Sequence, residues 1–237
     1  MLTLDLLAKT KSEMTYQCEF CKKTFAREST IAVHMCEPKR RRMEQSERGV
    51  QLGLHAYLEF YRLMNKSGKV RTFDDFADSP YYKAFVKFGR YCVDTRVINP
   101  ARMIEWLLKH NKKIDQWCSD RTYTEYLLNY LKSESATDAV ARSIEYSMDW
   151  AEKHSARPQD CLRYGSTNMI CHAITTGHIS PWVIYNSESG QGLLTQLNSE
   201  QITMIWSYID SDVWQRKFAD LPADQQWAKD ILNKAGW

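Results

Sequence analysis

The sequence predicts an all-α fold: a body of many short helices, preceded by one small ββα module. Three observations carry this. Glycine and proline are sparse, nine and six in 237 residues, which suits helices joined by short turns. Apolar residues recur at three- and four-residue intervals behind Ser, Thr, Asp, Asn or Pro, the usual helix starters. No alternation of useful strand length occurs outside the N-terminal module. A hydrophobic content of 43%, with 12% aromatic, is enough for the core of one medium domain or two small ones.

Residues 18–42 read CEFCKKTFARESTIAVHMCEPKRRR. Cys18 and Cys21 are spaced C-x2-C, a tight turn presenting two thiolates to one ion. Twelve residues separate Cys21 from His34, with Tyr16, Phe25 and Ile31 at the positions of a small apolar core. Through His34 this resembles the C2H2/C2HC zinc finger. The usual fourth ligand lies three to five residues further on; here Cys36 follows with one residue between. Helical residues two apart point about 200° away from each other. The helix is therefore expected to end near His34, with Cys36 folding back. Pro38 pushes Glu37 out of helical angles and suits the first turn of a new helix. The expected ligands are Cys18, Cys21, His34 and Cys36, and the expected ion is Zn²⁺, which prefers thiolate and imidazole in a tetrahedron.

Lys39, Arg40, Arg41 and Arg42 follow at once, with Lys22, Lys23 and Arg27 on the finger itself. Adjacent charges repel unless a polyanion relieves them, so phosphate contact is expected at these seven residues. A solvated helix face is the competing reading. Residues 1–71 hold 14 Lys/Arg against 8 Asp/Glu, whereas residues 72–237 hold 18 against 21. Such a split points one end at a polyanion and the other at proteins.

Beyond Pro38, Val50, Leu54, Tyr57, Leu58 and Tyr61 form a helical stripe, which NKSGK at 65–69 breaks. Thr72 and Asp75 form a capping box with a shortened acid. Ser79-Pro80 opens SPYYKAFVKFGRYCV, with Tyr81, Phe85, Phe88 and Cys92 expected on a core stripe. Lys83, Lys87 and Arg90 form a second stripe, expected to meet nucleic acid, because basic residues among aromatics suit single strands. Further helices are expected from Asn99-Pro100, Asp120 and Thr137, and near Ser166, Ser180, Ser199, Asp210 and Pro222, the last ending before Gly236. The expected organisation is a zinc finger (1–37), a basic linking helix (38–71), and a helical body in two parts, 72–135 and 136–237. The body is expected to fold without the finger.

No Walker-type loop, GxSxG or HExxH occurs, and SGQG at 189–192 reads as a loop too short to cradle a phosphate. Cys161, Cys171, His172 and His178 match no common metal spacing. No catalytic residue is expected. No apolar run approaches the roughly 18 residues of a membrane span, and Asp5 spoils MLTLDLLAKTKSEM as a secretory signal. Seven cysteines without a framework suit a reducing cytoplasm.

From about residue 79, several stretches in order resemble the replicative-helicase loader of T-even-type bacteriophages: SPYYKAFVKFGRYCV, a helix ending at KHNKKIDQW, then DRTYTEYLLNYLK, and later LRYGSTNMICHAITTGHISPWVI. Finger, KRRR and body together also resemble proteins of T4-like marine phages. The loader resemblance implies a two-part all-α protein, its first part similar to an HMG box. It also implies DNA replication in an infected bacterial host: binding to forked or single-stranded DNA, contact with a single-strand-binding protein and recruitment of the replicative helicase. The finger departs from the loader's pattern. The expectation is a non-enzymatic DNA-binding adaptor. A zinc-finger regulator of transcription or host takeover, and a structure-specific nuclease, are the alternatives.

Overall fold

The computed structural model describes residues 15–64 and 70–237. The chain's first 14 residues and the NKSGK break lie outside them. The chain divides into two compact units, Met1–Arg90 and Tyr91–Trp237. Among the described residues the fold is helical apart from a single two-stranded sheet, as the composition predicts.

The first unit begins with an antiparallel hairpin, β1 (Tyr16–Gln17) and β2 (Thr24–Phe25), in the register Tyr16 to Phe25. Its turn is closed by the Lys22 amide on the Cys18 carbonyl and the Cys18 amide on the Lys23 carbonyl, both 2.9 Å. The short helices α1 (Glu28–Ala32) and α2 (Glu37–Met43) follow. The stretch expected as one linking helix is two. A 3-10 turn at Glu44–Ser46 and an extended Glu47 separate α2 from α3 (Arg48–Met64). Glu37 is itself the first residue of α2, so the extended residue before this helix is Cys36 rather than Glu37.

Thr72 caps α4 (Phe73–Ala77) with the expected capping box: the Thr72 amide donates to Asp75 Oδ2 at 2.9 Å, and the Asp75 amide donates back to Thr72 Oγ1. The next helix, α5 (Tyr82–Asp94), starts two residues beyond Pro80. Its stripe differs from expectation at one position. Phe85 and Phe88 are buried, but Tyr81 is half exposed and Tyr82 takes its place in the core.

The buried face of α3 also differs. It consists of Gly49, Val50, Gly53, Ala56 and Tyr57, small residues beside the predicted Val50 and Tyr57. A Cβ on Gly89 would lie 1.9 Å from the Gly49 carbonyl oxygen and 2.6 Å from the Gly53 nitrogen. The α3 and α5 backbones therefore touch, which only glycine permits at that point. Tyr57 packs edge-on against Phe85 at 5.6 Å and, tilted, against Phe76 at 5.2 Å. A cut at residue 72 would strip α3 from these aromatics, so a body starting there would leave part of this core open. The structure draws its division after Arg90 instead.

The second unit holds α6 (Pro100–Lys109), α7 (Asp120–Ser133), α8 (Ala136–His154), α9 (Cys161–Tyr164), α10 (Thr167–Thr175), α11 (Pro181–Asn186), α12 (Glu188–Gln196), α13 (Ser199–Ile209), α14 (Ser211–Asp220) and α15 (Pro222–Lys234). Its helix starts are chemical. Asn99, Ser119, Ser135, Ser180, Ser187, Asn198 and Asp210 each accept a backbone N–H in the first turn, satisfying donors the helix leaves orphaned. SGQG lies inside α12 and is no loop. Ser187 caps that helix, and a Cβ on Gly190 would meet the Ile184 carbonyl at 2.5 Å.

The short α11 is the core of this unit: Pro181, Trp182, Val183 and Ile184 are all buried, and it packs on α8, α12 and α15. Two polar ties close the end of α7. Arg142 grips the buried Glu134, with one hydrogen bond at 2.9 Å, and donates to the Gly177 carbonyl at 2.6 Å. Lys217 donates to the Leu131 and Glu134 carbonyls at 2.8 and 3.0 Å.

Candidate metal centre and basic surface

Four side chains converge at the hairpin. The β1–β2 turn presents Cys18 and Cys21. Helix α1 ends at Ala32, so His34 follows it in irregular chain. Cys36 sits at φ −94°, ψ 161°, as the extended cap of α2. Ending α1 before His34 removes the helical constraint that would have turned His34 and Cys36 apart. The ligand atoms of Cys18, Cys21, His34 and Cys36 all lie within 4.8 Å of one another.

Cys18 Sγ is 3.8 Å from Cys36 Sγ, and Cys21 Sγ is 3.3 Å from His34 Nε2. For a four-coordinate ion with metal–sulfur bonds near 2.3 Å, a tetrahedral edge between thiolates is about 3.8 Å, and a thiolate–imidazole edge about 3.6 Å. The four residues therefore fit a single metal ion. Phe25 packs on the His34 ring at 4.6 Å between centres, and Lys39 donates to the His34 carbonyl at 3.3 Å. The electrostatics agree. The Cys21 amide lowers the Cys18 thiol to about 7. The Lys23 amide pulls Cys21 down, but desolvation and the neighbouring Cys18 and Cys36 outweigh it and leave Cys21 raised. Crowded thiols resist ionising together unless a cation sits among them.

The basic residues separate into two groups. Arg41 is largely covered. It donates to the Ala77 carbonyl at 2.7 Å, pairs with Glu37 at 3.2 Å and lies 4.5 Å above the Tyr82 ring. Arg42 pairs with Asp74 and Asp78, each at 3.1 Å. Arg40 pairs with Glu37 and, at 3.9 Å, with Glu44. Arg90 is held by Glu47 at 2.7 Å and Glu44 at 3.4 Å; hydrogen bonding to Arg90 lowers the Glu47 carboxyl. These arginines, expected on phosphate, are engaged within the fold. Two of the acids that engage them, Glu37 and Glu44, flank the run at helical spacing, whereas Asp74 and Asp78 come from the distant DDFAD at 74–78. Lys22, Lys23, Arg27, Lys83 and Lys87 are exposed and form no direct ion pair among the described residues, although Lys83 joins Arg41 and Arg40 in holding the Glu37 carboxyl down. Lys23 lies 5.7 Å from the Phe25 ring.

No helix among the described residues is long and apolar enough to cross a membrane. The chain matches no family model, no curated protein and no solved structure.

Proposed function

We propose that the chain is a zinc-stabilised, non-enzymatic DNA-binding adaptor, in which the first unit meets the nucleic acid and the second meets a protein. Zinc is the ion that best suits three thiolates and an imidazole at tetrahedral spacing. When bound, it cross-links the hairpin, the end of α1 and the start of α2, a contribution to folding rather than to a reaction. Cys18 and Cys21 hold one side, and His34 and Cys36 the other.

The observation that carries DNA binding is the set of exposed cations that form no direct ion pair among the described residues. The first unit holds 17 Lys/Arg against 11 Asp/Glu. With Arg40, Arg41, Arg42 and Arg90 paired internally, Lys22, Lys23 and Arg27 on the finger and Lys83 and Lys87 on α5 remain for phosphates. The resemblance of the stretches from residue 79 onward to the phage helicase loader supports forked or single-stranded DNA as the ligand, and a helicase with its single-strand-binding protein as partners.

Fluorescence anisotropy with fork, single-strand and duplex probes, with zinc present and removed, tests this reading. The expected order has the fork or single strand first. Replacing Lys83 and Lys87 by Gln should flatten the slope of log affinity against log salt. The change should be about 0.7 for each phosphate no longer neutralised on a single strand, and about 0.9 on duplex. Equal affinity for every probe with an unchanged slope would overturn the reading. A preference for one duplex sequence would favour a regulator.

A further inference from the structure

The second unit carries a cleft that the metal centre and the free lysines do not use. Two adjoining hollows, of about 590 and about 270 Å³, share Lys132, Val213 and Trp214. They open between the end of α7, α13 and α14. The apolar side is substantial. Trp206 is half exposed, Leu221 is 38% exposed, and Trp214 lies beneath at 3%. Trp214 is fixed by its indole N–H on the Tyr208 carbonyl at 2.8 Å.

The charged side is unlike its surroundings. Residues 91–237 hold 15 Lys/Arg against 18 Asp/Glu, yet Lys132, Arg216 and Lys217 all line the larger hollow. Lys217 is immobilised by its two carbonyls and sits 4.8 Å from the Trp214 ring. Arg216 donates to the Asp212 carbonyl of its own helix, at 2.9 Å. Among the described residues no carboxylate pairs with Lys132 or Arg216. Of the two acids present, Asp210 is occupied in capping α14 through the Asp212 and Val213 amides. Asp220 is the other. The cleft is therefore apolar at its base, cationic at its edge and open to solvent.

We propose that this cleft binds a short peptide segment of a partner protein in which a leucine or aromatic side chain is flanked by carboxylates. The apolar side chain fills the space between Trp206 and Leu221 over Trp214. The carboxylates meet Lys132 and Arg216, which offer charge-assisted hydrogen bonds at a wet rim. A single nucleic acid strand fits less well. Trp214 is buried at the base of the cleft and offers little ring face for the stacking on which single strands depend. The inference names the partner class of the adaptor reading and rests on it for its biological sense, but it is tested without DNA.

The test uses the full chain, zinc-loaded, on an array of synthetic nonapeptides in four classes: acidic with Leu or Phe, acidic without, apolar without acid, and basic with Leu or Phe. Soluble oligothymidylate is the competitor. The acidic–apolar class should be captured selectively. Lys132→Glu with Arg216→Glu, both at exposed or rim positions, should lose about tenfold or more of that binding while keeping the parent melting temperature. Trp206→Ala should lose a similar factor. Three outcomes would overturn the proposal: no class preference on the array, capture unchanged in the charge-reversed variant, or displacement of the peptide by oligothymidylate. None of them would touch the probe and salt results that test DNA binding by the first unit.

Discussion

Arg42 on α2 meets Asp78, the residue closing α4, with one guanidinium nitrogen 3.1 Å from both carboxylate oxygens. Thirty-six residues separate them in sequence. Together with Arg42 on Asp74 and Arg41 on the Ala77 carbonyl, this pairing ties the basic run to the start of the helical chain behind it. The run that reads as a phosphate grip is in large part a latch.

The latch predicts a stability effect before a DNA effect. Arg42→Ala should cost about 1 kcal/mol, in the range of exposed ion pairs with good geometry. Arg41→Ala with Arg42→Ala should cost about 2–3 kcal/mol, because the Ala77 carbonyl and the Tyr82 ring are left without their partner as well. Urea unfolding curves of the purified variants would register this as a lower midpoint at constant slope. Parent-like midpoints with weakened DNA binding would return the run to the phosphate surface.

One equivalent of zinc per chain is expected in protein purified without chelator, by elemental analysis. Cys36→Ser should weaken zinc by about tenfold or more, since a hydroxyl replaces a thiolate ligand. Its Cys18 neighbour at 3.8 Å would then lack its partner across the tetrahedral edge. A Cys36→Ser protein with parent zinc affinity would show that another group supplies the fourth position.

Two glycine substitutions should act in opposite directions. Gly89→Ala drives a methyl group into the Gly49 carbonyl and should cost about 3 kcal/mol or prevent folding of the first unit. Gly192→Ala lies within α12, with nothing within 4 Å of the added carbon. It should stabilise by about 0.5–1 kcal/mol through the unfolded chain. Thermal melts of the pair would separate a close backbone approach from a mere loss of flexibility.

His178 should make the second unit acid-sensitive. It stacks on Tyr146, with ring centres 5.8 Å apart. Burial, reinforced by Arg142 and Arg96, pushes its imidazole down to about 4. Between the ordinary value near 6.5 and about 4, the unfolded chain takes a proton that the folded chain refuses. Stability is therefore fully present above 6.5 and falls as pH drops through this window, by on the order of 2 kcal/mol after allowing for its part exposure. His178→Phe keeps a ring against Tyr146 and should flatten the profile between pH 6.5 and 4. An unchanged slope would assign the acid sensitivity to other groups.

Much of this protein follows from local chemistry and is legible in sequence. The C-x2-C turn, the twelve residues to His34 and the Phe25/Ile31 spacing are short-range relations, so they outline the metal cluster without a fold. Thr72, Asn99, Ser180, Asp210 and Pro222 mark helix starts because a cap or a missing N–H acts within one turn. Other features depend on what the chain meets after folding. A helical period cannot say that α3 would bury Gly49 and Gly53 in preference to Leu54, because that choice belongs to the facing Gly89. It cannot place Tyr82 in the core and leave Tyr81 half exposed, because the two differ by one helical step and the choice rests with Phe76 and Arg41. Net charge could not separate Arg42, neutralised by Asp74 and Asp78, from Lys83 and Lys87, which form no direct ion pair among the described residues. Periodicity and capping act over three or four residues. Close backbone approach, ion pairing across 36 residues and a cationic cleft in an acidic unit exist only once distant segments are brought together.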